Sequence, residues 1–404
     1  MMNHQQKLSD KQMATLLALL ITIMPFSIDA YLPSLTLIAE DLHSDIHRIE
    51  QSLSSFIFGV AFGQLVGGSL SDIKGRKNIA LAGLSVYIVS TFLLIFVQSA
   101  EQLLSLRLVQ AVGAGMAAVV VGAIVRDNYE GKEAAQMFAL IGIIMMGAPL
   151  LAPMVGSMMQ MIGGWRAVFV FLLLYSVMVF ALYWKFLPKH KMAEPLPPQL
   201  FRNLAQRYGR VLRHKTALGF LFFQAASFSS MLVFLTESPF VYMKLHELSP
   251  NQYAWAFGCN IIMMAVFNRT TAWHLKRDRN SQDILRAGII IQFLANLSLF
   301  ISVLIWQLPP LWLMIMLIMT SIGTQGLIVA NTQALFMSHF REDAGSANAV
   351  LASCQSLIAA LVGFTTTLLH NGSAMVMAGM MLACTTLGIV LLMIFSHSIM
   401  RQKC

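Results

Sequence analysis

The chain has 404 residues, of which 57% are hydrophobic and 11% charged, and its mean hydropathy is +0.70. A soluble globular protein carries about 25% charged residues, so this composition excludes a cytosolic enzyme, a secreted disulfide scaffold and a single-span receptor, and predicts a polytopic membrane protein. The net charge of +9 implies a nucleic-acid partner only if topology fails to account for it.

At about 34 residues for a span and its loop, the length allows about twelve crossings, each needing about 20 apolar residues. The polar segment 1–12 precedes an apolar run too long for the core of a signal peptide, which reads as an uncleaved first span. Spans are predicted over 13–35, 51–71, 78–98, 103–125, 135–160 and 166–187, then 215–240, 251–273, 283–306, 311–337, 345–370 and 374–396. Their apolar runs are unbroken, whereas barrel strands would alternate every second residue. The expected fold class is therefore an all-α membrane protein. Its twelve transmembrane helices form two pseudo-symmetric six-helix halves, 1–187 and 215–404, joined by a basic linker at 188–214. A cytoplasmic N-terminus puts all 27 lysines and arginines inside except Arg48, Arg107, Arg166 and Lys244, as the positive-inside rule requires. Both termini and the linker are then cytoplasmic. Topology explains the positive charge, and no nucleic-acid partner is expected.

Span one carries Asp29 near its outer end, with Tyr31 and Pro33 just beyond. An ionised side chain at mid-span costs about 2.5–3.5 kcal/mol, so Asp29 should have a partner or a wet cavity. Arg107, at similar depth in span four, is the expected partner. An acid that meets the arginine in one conformation and leaves it in another binds and releases a proton. A permanent, purely structural ion pair is the alternative.

Between spans two and three lies Gly68-Ser69-Leu70-Ser71-Asp72-Ile73-Lys74-Gly75-Arg76-Lys77. Gly75 suits a tight turn with positive φ, and Asp72 suits a helix N-terminus or an arginine. By composition alone the segment is a basic cytoplasmic turn. Arg126 and Asp127 close span four. Span five holds Pro149 and Pro153, each of which removes a backbone donor. It also holds Gly142, Gly147 and Gly156, which admit close helix contact. Such a helix suits either a rocking interface or ordinary tight packing.

Span seven ends in Glu237, Ser238, Pro239 and Tyr242. Glu237, the second intramembrane acid, has three readings: it binds a cationic substrate, transfers protons, or is solvated at the interface. With 28 methionines and 26 phenylalanines the chain is rich in side chains that repack around unlike ligands. Tyr31, Phe58, Phe228 and Tyr242, near the acids, are the expected pocket lining. Cys259, Cys354, Cys384 and Cys404 are scattered, and His246, His274, His339, His370 and His397 lack paired metal-ligand spacing. No P-loop sequence occurs. No metal or organic cofactor is expected.

The loop from Gly68 to Lys77 matches the G-x-L-x-D-x-x-G-R-K signature of the major facilitator superfamily. Arg107-Leu108-Val109-Gln110 is similar to that family's R-x-x-Q-G, with Ala111 in place of the glycine. The stretch from Ala148 to Gly156 resembles the family's proline/glycine antiporter motif and departs from it at Ser157. Together with the sequences around Asp29 and Glu237, these segments resemble the bicyclomycin-resistance (Bcr/CflA) group of drug:proton antiporters over nearly the whole chain. The resemblance implies proton-driven export of small amphipathic molecules, often antibiotics, across a bacterial inner membrane by a functional monomer. It implies a cytoplasmic gate at Gly68, Asp72, Gly75, Arg76 and Arg126, and an antiporter motif at Pro149, Pro153 and Gly156. The rivals are an exporter dedicated to one endogenous metabolite, such as a siderophore, a proton-coupled importer and, from another class, a channel. Two unlike halves with isolated acids argue against the pore-lining rings of a channel.

Overall fold

Inside a bilayer no water satisfies backbone groups, so each crossing closes its own hydrogen bonds. A computed structural model describes residues 9–129, 131–187, 200–277, 279–340 and 344–401, and among these the regular structure is helical throughout. The chain divides into two compact units, Met1–Pro197 and Pro198–Cys404. The predicted linker lies outside the described residues as far as 199; its remainder is a helix, Leu200–Arg213.

In unit one, span one is Asp10–Asp41, opened by a capping box between Ser9 and Gln12 and bent by a 3-10 turn over Leu32–Ser34. Pro33 explains the bend, because it lacks the donor a continuous helix needs. Spans two, three and four are Ile46–Lys74, Arg76–Leu94 and Ala100–Asn128. Spans five and six share the helical stretch Gly131–Phe186, which breaks at Gly163 and Gly164, where Gly164 has φ +67°. In unit two, spans seven to twelve are Lys215–Leu245, Pro250–Leu275, Ser281–Trp306, Leu311–Met337, Ala344–Leu369 and Met375–Arg401. Nine stretches among the described residues are long and apolar enough to cross a membrane, and one of them, Gln136–Phe186, contains two spans. Spans two and eight, of 29 and 26 residues, are long enough but more polar, and they complete the twelve.

Glycine sets how close the helices come in unit one. Gly59, Gly63 and Gly67 recur every fourth residue, so they lie along one face of span two. A Cβ at each would fall 2.4 Å from the Leu108 oxygen, 2.3 Å from the Val112 oxygen and 2.6 Å from the Met116 Cα of span four. The two backbones are in direct contact, and no side chain fits between them. A buried apolar cluster built on Leu17, Leu84, Val120, Val125 and Tyr183 ties spans one, three, four and six together. At the end of span six, buried Lys77 donates to the Trp184 carbonyl at 2.7 Å and to that of Leu187, occupying acceptors that a helix C-terminus leaves open.

Candidate functional site

Span four carries Arg107 into the interior of unit one, fully buried. Its Nη1 donates to Gln110 Oε1 at 2.7 Å and its Nη2 to the Ser27 carbonyl of span one at 2.9 Å. The guanidinium lies over the rings of Tyr31 and Phe56, 4.6 and 4.3 Å from their centroids, so the charge is held by two aromatic faces as well as by hydrogen bonds. Its Nε has no hydrogen-bond partner among the described residues. Gln110 Nε2 donates to Thr91 Oγ1 at 2.8 Å, the hydroxyls of Ser27 and Tyr87 are 2.6 Å apart, and those of Tyr31 and Ser52 are 3.0 Å apart. Arg107 is thus the hub of a polar network drawn from spans one to four. The sequence singles out Arg107 and Tyr31, and Gln110 through its motif; Ser27, Ser52, Tyr87 and Thr91 are signalled only as polar residues within apolar runs.

Asp29 is buried too, with 6% of its surface exposed. The expected pair with Arg107 is not formed: among the described residues Asp29 makes no ion pair and no side-chain hydrogen bond. Helix geometry gives the reason. Ser27 and Tyr31, four apart, share the face turned to Arg107, and Asp29, midway between them, is rotated by about 200° at 3.6 residues per turn. Matching depth in the sequence does not put two side chains on facing surfaces.

In span five, a Cβ at Gly156 would lie 2.0 Å from the Ala30 carbonyl oxygen. This glycine therefore sets the approach of span five to span one beside Asp29. Gly142 and Gly147 have nothing within 4 Å of such a Cβ, so the close contact expected of all three is made at Gly156. Pro149 and Pro153 lie within the helix.

Gly75 links spans two and three with φ +85°, the conformation its place in the motif anticipates. Arg76 pairs with Asp127 at 2.9 Å and donates to Ser71 Oγ at 2.7 Å. Among the described side chains Asp127 pairs with Arg76; Arg126, its neighbour on the last turn of span four, is exposed. Gly68 is half-buried in the last turns of span two. The Asp72 side chain lies outside those described.

In unit two Glu237 is fully buried, which removes the reading of it as a solvated interfacial acid. Its Oε2 is 3.0 Å from His370 Nδ1, an ion pair when the imidazole is protonated, and the Phe240 ring packs edge-on at 4.6 Å from the His370 ring. The sequence offered no pairing for His370, because the two residues lie 133 positions apart. Deeper in the unit, Asn296 donates to Thr385 Oγ1 at 2.7 Å and accepts from Ser321 Oγ at 2.6 Å, joining spans nine, ten and twelve. Tyr242 is buried in an aromatic group with Phe234 and Tyr253. Phe228 is half-buried. Phe58 is 44% exposed and forms a stripe with Phe62 and Leu65 along span two; it is Phe56, on the other side of that helix, that packs on Arg107.

A model of the Major Facilitator Superfamily matches residues 17–364. The chain is 28% identical over 375 residues to a bicyclomycin resistance protein homolog of Haemophilus influenzae, covering 93% of each chain. It is 27% identical over 382 residues to the multidrug resistance protein MdtL of Citrobacter koseri, again covering 93% of each. Its fold is similar to that of the xylose transporter XylE from E. coli, with TM-score 0.73 at 12% identity, covering 95% of this chain and 97% of that one.

Proposed function

The chain belongs to the major facilitator superfamily, and from that membership we propose that it is a proton-coupled exporter of small amphipathic molecules working by alternating access. The observation that carries the reading is a set of charged groups buried in membrane spans: Asp29 without a charged partner, Arg107 in its aromatic cage and Glu237 against His370. Such groups are costly in a membrane, and ion and substrate pathways are where they are retained. The relatives named for bicyclomycin and multidrug resistance favour drug-like substrates. In this reading the protein is a monomer in a bacterial inner membrane with both termini cytoplasmic.

Asp29 and Glu237 exchange protons, and Arg107 positions span one through the Ser27 carbonyl, so that Asp29 faces away from it. Phe58 and Phe228, which keep free surface, meet substrate. Tyr31 and Tyr242 back the cavity walls. The segment from Gly68 through Asp72 and Gly75 to Arg76, with Arg126 and Asp127, acts as the cytoplasmic gate, and the antiporter motif at Pro149, Pro153 and Gly156 keeps span five against span one. The test is uptake of an amphipathic cationic dye into inverted membrane vesicles driven by a pH gradient. Wild type should accumulate the dye and Asp29→Asn should not. Wild-type coupling in both Asp29→Asn and Glu237→Gln would overturn the proposal.

A further inference from the structure

Spans nine and twelve leave a groove on unit two that none of the transport chemistry above uses. Its first part is a cavity of about 590 Å³, walled by Ile289, Ile290 and Phe293 of span nine and by Ile389, Val390 and Met393 of span twelve. A second cavity of about 510 Å³ continues it, sharing Thr386 and Val390 and reaching Phe300 and Gly379. From Arg286 at one end to Phe300 at the other, span nine advances about 21 Å at 1.5 Å per residue. The hydrocarbon core of a bilayer is about 30 Å thick, so the groove is longer than one leaflet is deep.

The walls are apolar along that length except for Thr386, and the basic groups gather at one end. Arg286 and His397 both line the first cavity there, in the first turns of span nine and the last turns of span twelve. Arg286 Nη1 contacts Asp283 Oδ1 at 3.0 Å, on the solvent side, where Asp283 is 52% exposed. A guanidinium has five N–H donors, so this one contact leaves donors for a second acceptor. An apolar slot of leaflet length that ends in a basic pair matches one class of molecule: an acyl chain for the slot and a phosphate for the arginine, which binds phosphate through its planar fork.

We propose that this groove is a binding site for one anionic membrane phospholipid, its acyl chain lying between spans nine and twelve and its phosphate held by Arg286 and His397. The site is independent of the transport proposal, because none of Asp29, Arg107 and Glu237 lines it and its test reads lipid binding. Gly379 lies at the far end, where a Cβ would make an ordinary contact with the Phe300 ring at 3.5 Å. Thr386, exposed at the waist and common to both cavities, is where an added ring would block it without entering the core.

The experiment is native mass spectrometry of the full chain, stripped of lipid in detergent and titrated with phosphatidylglycerol or phosphatidylcholine. Wild type should take up one phosphatidylglycerol per chain, about tenfold more tightly than phosphatidylcholine, which offers the same phosphate but also carries a choline cation that Arg286 repels. Arg286→Gln should abolish that preference. Asp283→Asn, which releases the guanidinium from its neighbour, should keep or increase it. Thr386→Phe should weaken both lipids while leaving the thermal unfolding temperature unchanged, which separates loss of the groove from loss of the fold. Equal binding of the two lipids by wild type, a preference that survives Arg286→Gln, or displacement of the bound phosphatidylglycerol by the transported dye would each overturn the proposal.

Discussion

Arg107 is buried without a carboxylate partner, so its charge rests on the Ser27 carbonyl, Gln110 and two aromatic faces. A lysine has no planar fork with which to reach Gln110 and the carbonyl together. Arg107→Lys should lose about 1.5–3 kcal/mol, the range for a hydrogen bond to a charged group, read as a lowered unfolding temperature in detergent. Gln110→Ala, which keeps the charge and its other contacts, should cost less. An equal loss in the two variants would mean that the network acts through Gln110 and not through the charge. Glu237 and His370 pose a different question, because both sit in one contact. If they act as a unit, Glu237→Gln, His370→Gln and the double variant should impair dye transport to the same degree, since coupled residues are non-additive. Additive losses would separate their roles.

At the scale of helices, the backbone contacts of span two with span four and of span five with span one have no room for a side chain. Gly63→Leu places a branched side chain where a single Cβ already lies 2.3 Å from the Val112 oxygen. Overpacking of this kind costs about 1–3 kcal/mol even in adaptable cores, and here the obstacle is backbone. The variant should fail to give a monodisperse peak on size exclusion. Gly156→Ala pushes span five off Ala30, next to Asp29, and should reduce transport at matched expression. Gly142→Ala and Gly147→Ala, with nothing within 4 Å, should be neutral or stabilising by roughly 0.5–1 kcal/mol, the helix preference for alanine over glycine. If Gly142→Ala and Gly156→Ala behave alike, close approach at Gly156 has no special consequence.

For the whole molecule, the basic census predicts an orientation with both termini cytoplasmic. Of the four basic residues it leaves outside, Arg166 pairs with Asp41 at 2.7 Å and also donates to the Ile95 and Val97 carbonyls, and Arg48 lies 3.5 Å from Glu101. Two exceptions to the positive-inside pattern are thus matched by acids within their own unit. A reporter fused after Cys404 should be cytoplasmic, and a periplasmic signal there would require an odd number of crossings and contradict two six-span halves. The pairs themselves should matter little for stability, because exposed ion pairs contribute about 0–1 kcal/mol. Asp41→Asn should therefore leave both orientation and unfolding temperature close to wild type.

Composition and periodicity alone determined that the chain crosses a membrane, that it does so as helices, roughly where each span lies and which residues are chemically costly at that depth. The reason is local: an apolar run of about 20 residues has no other stable form in lipid, and an acid or arginine inside it stands out whatever surrounds it. Gly75 was legible for the same reason, since positive φ is a property of one residue. Pairing was decided only by the tertiary structure. The rotation of span one turns Ser27 and Tyr31 toward Arg107 and Asp29 away; Asp127 pairs with Arg76; and Glu237 finds a histidine 133 positions distant. Which face of one helix meets which face of another depends on the packing of whole helices, and at Gly59, Gly63, Gly67 and Gly156 that packing is set by side chains that are absent.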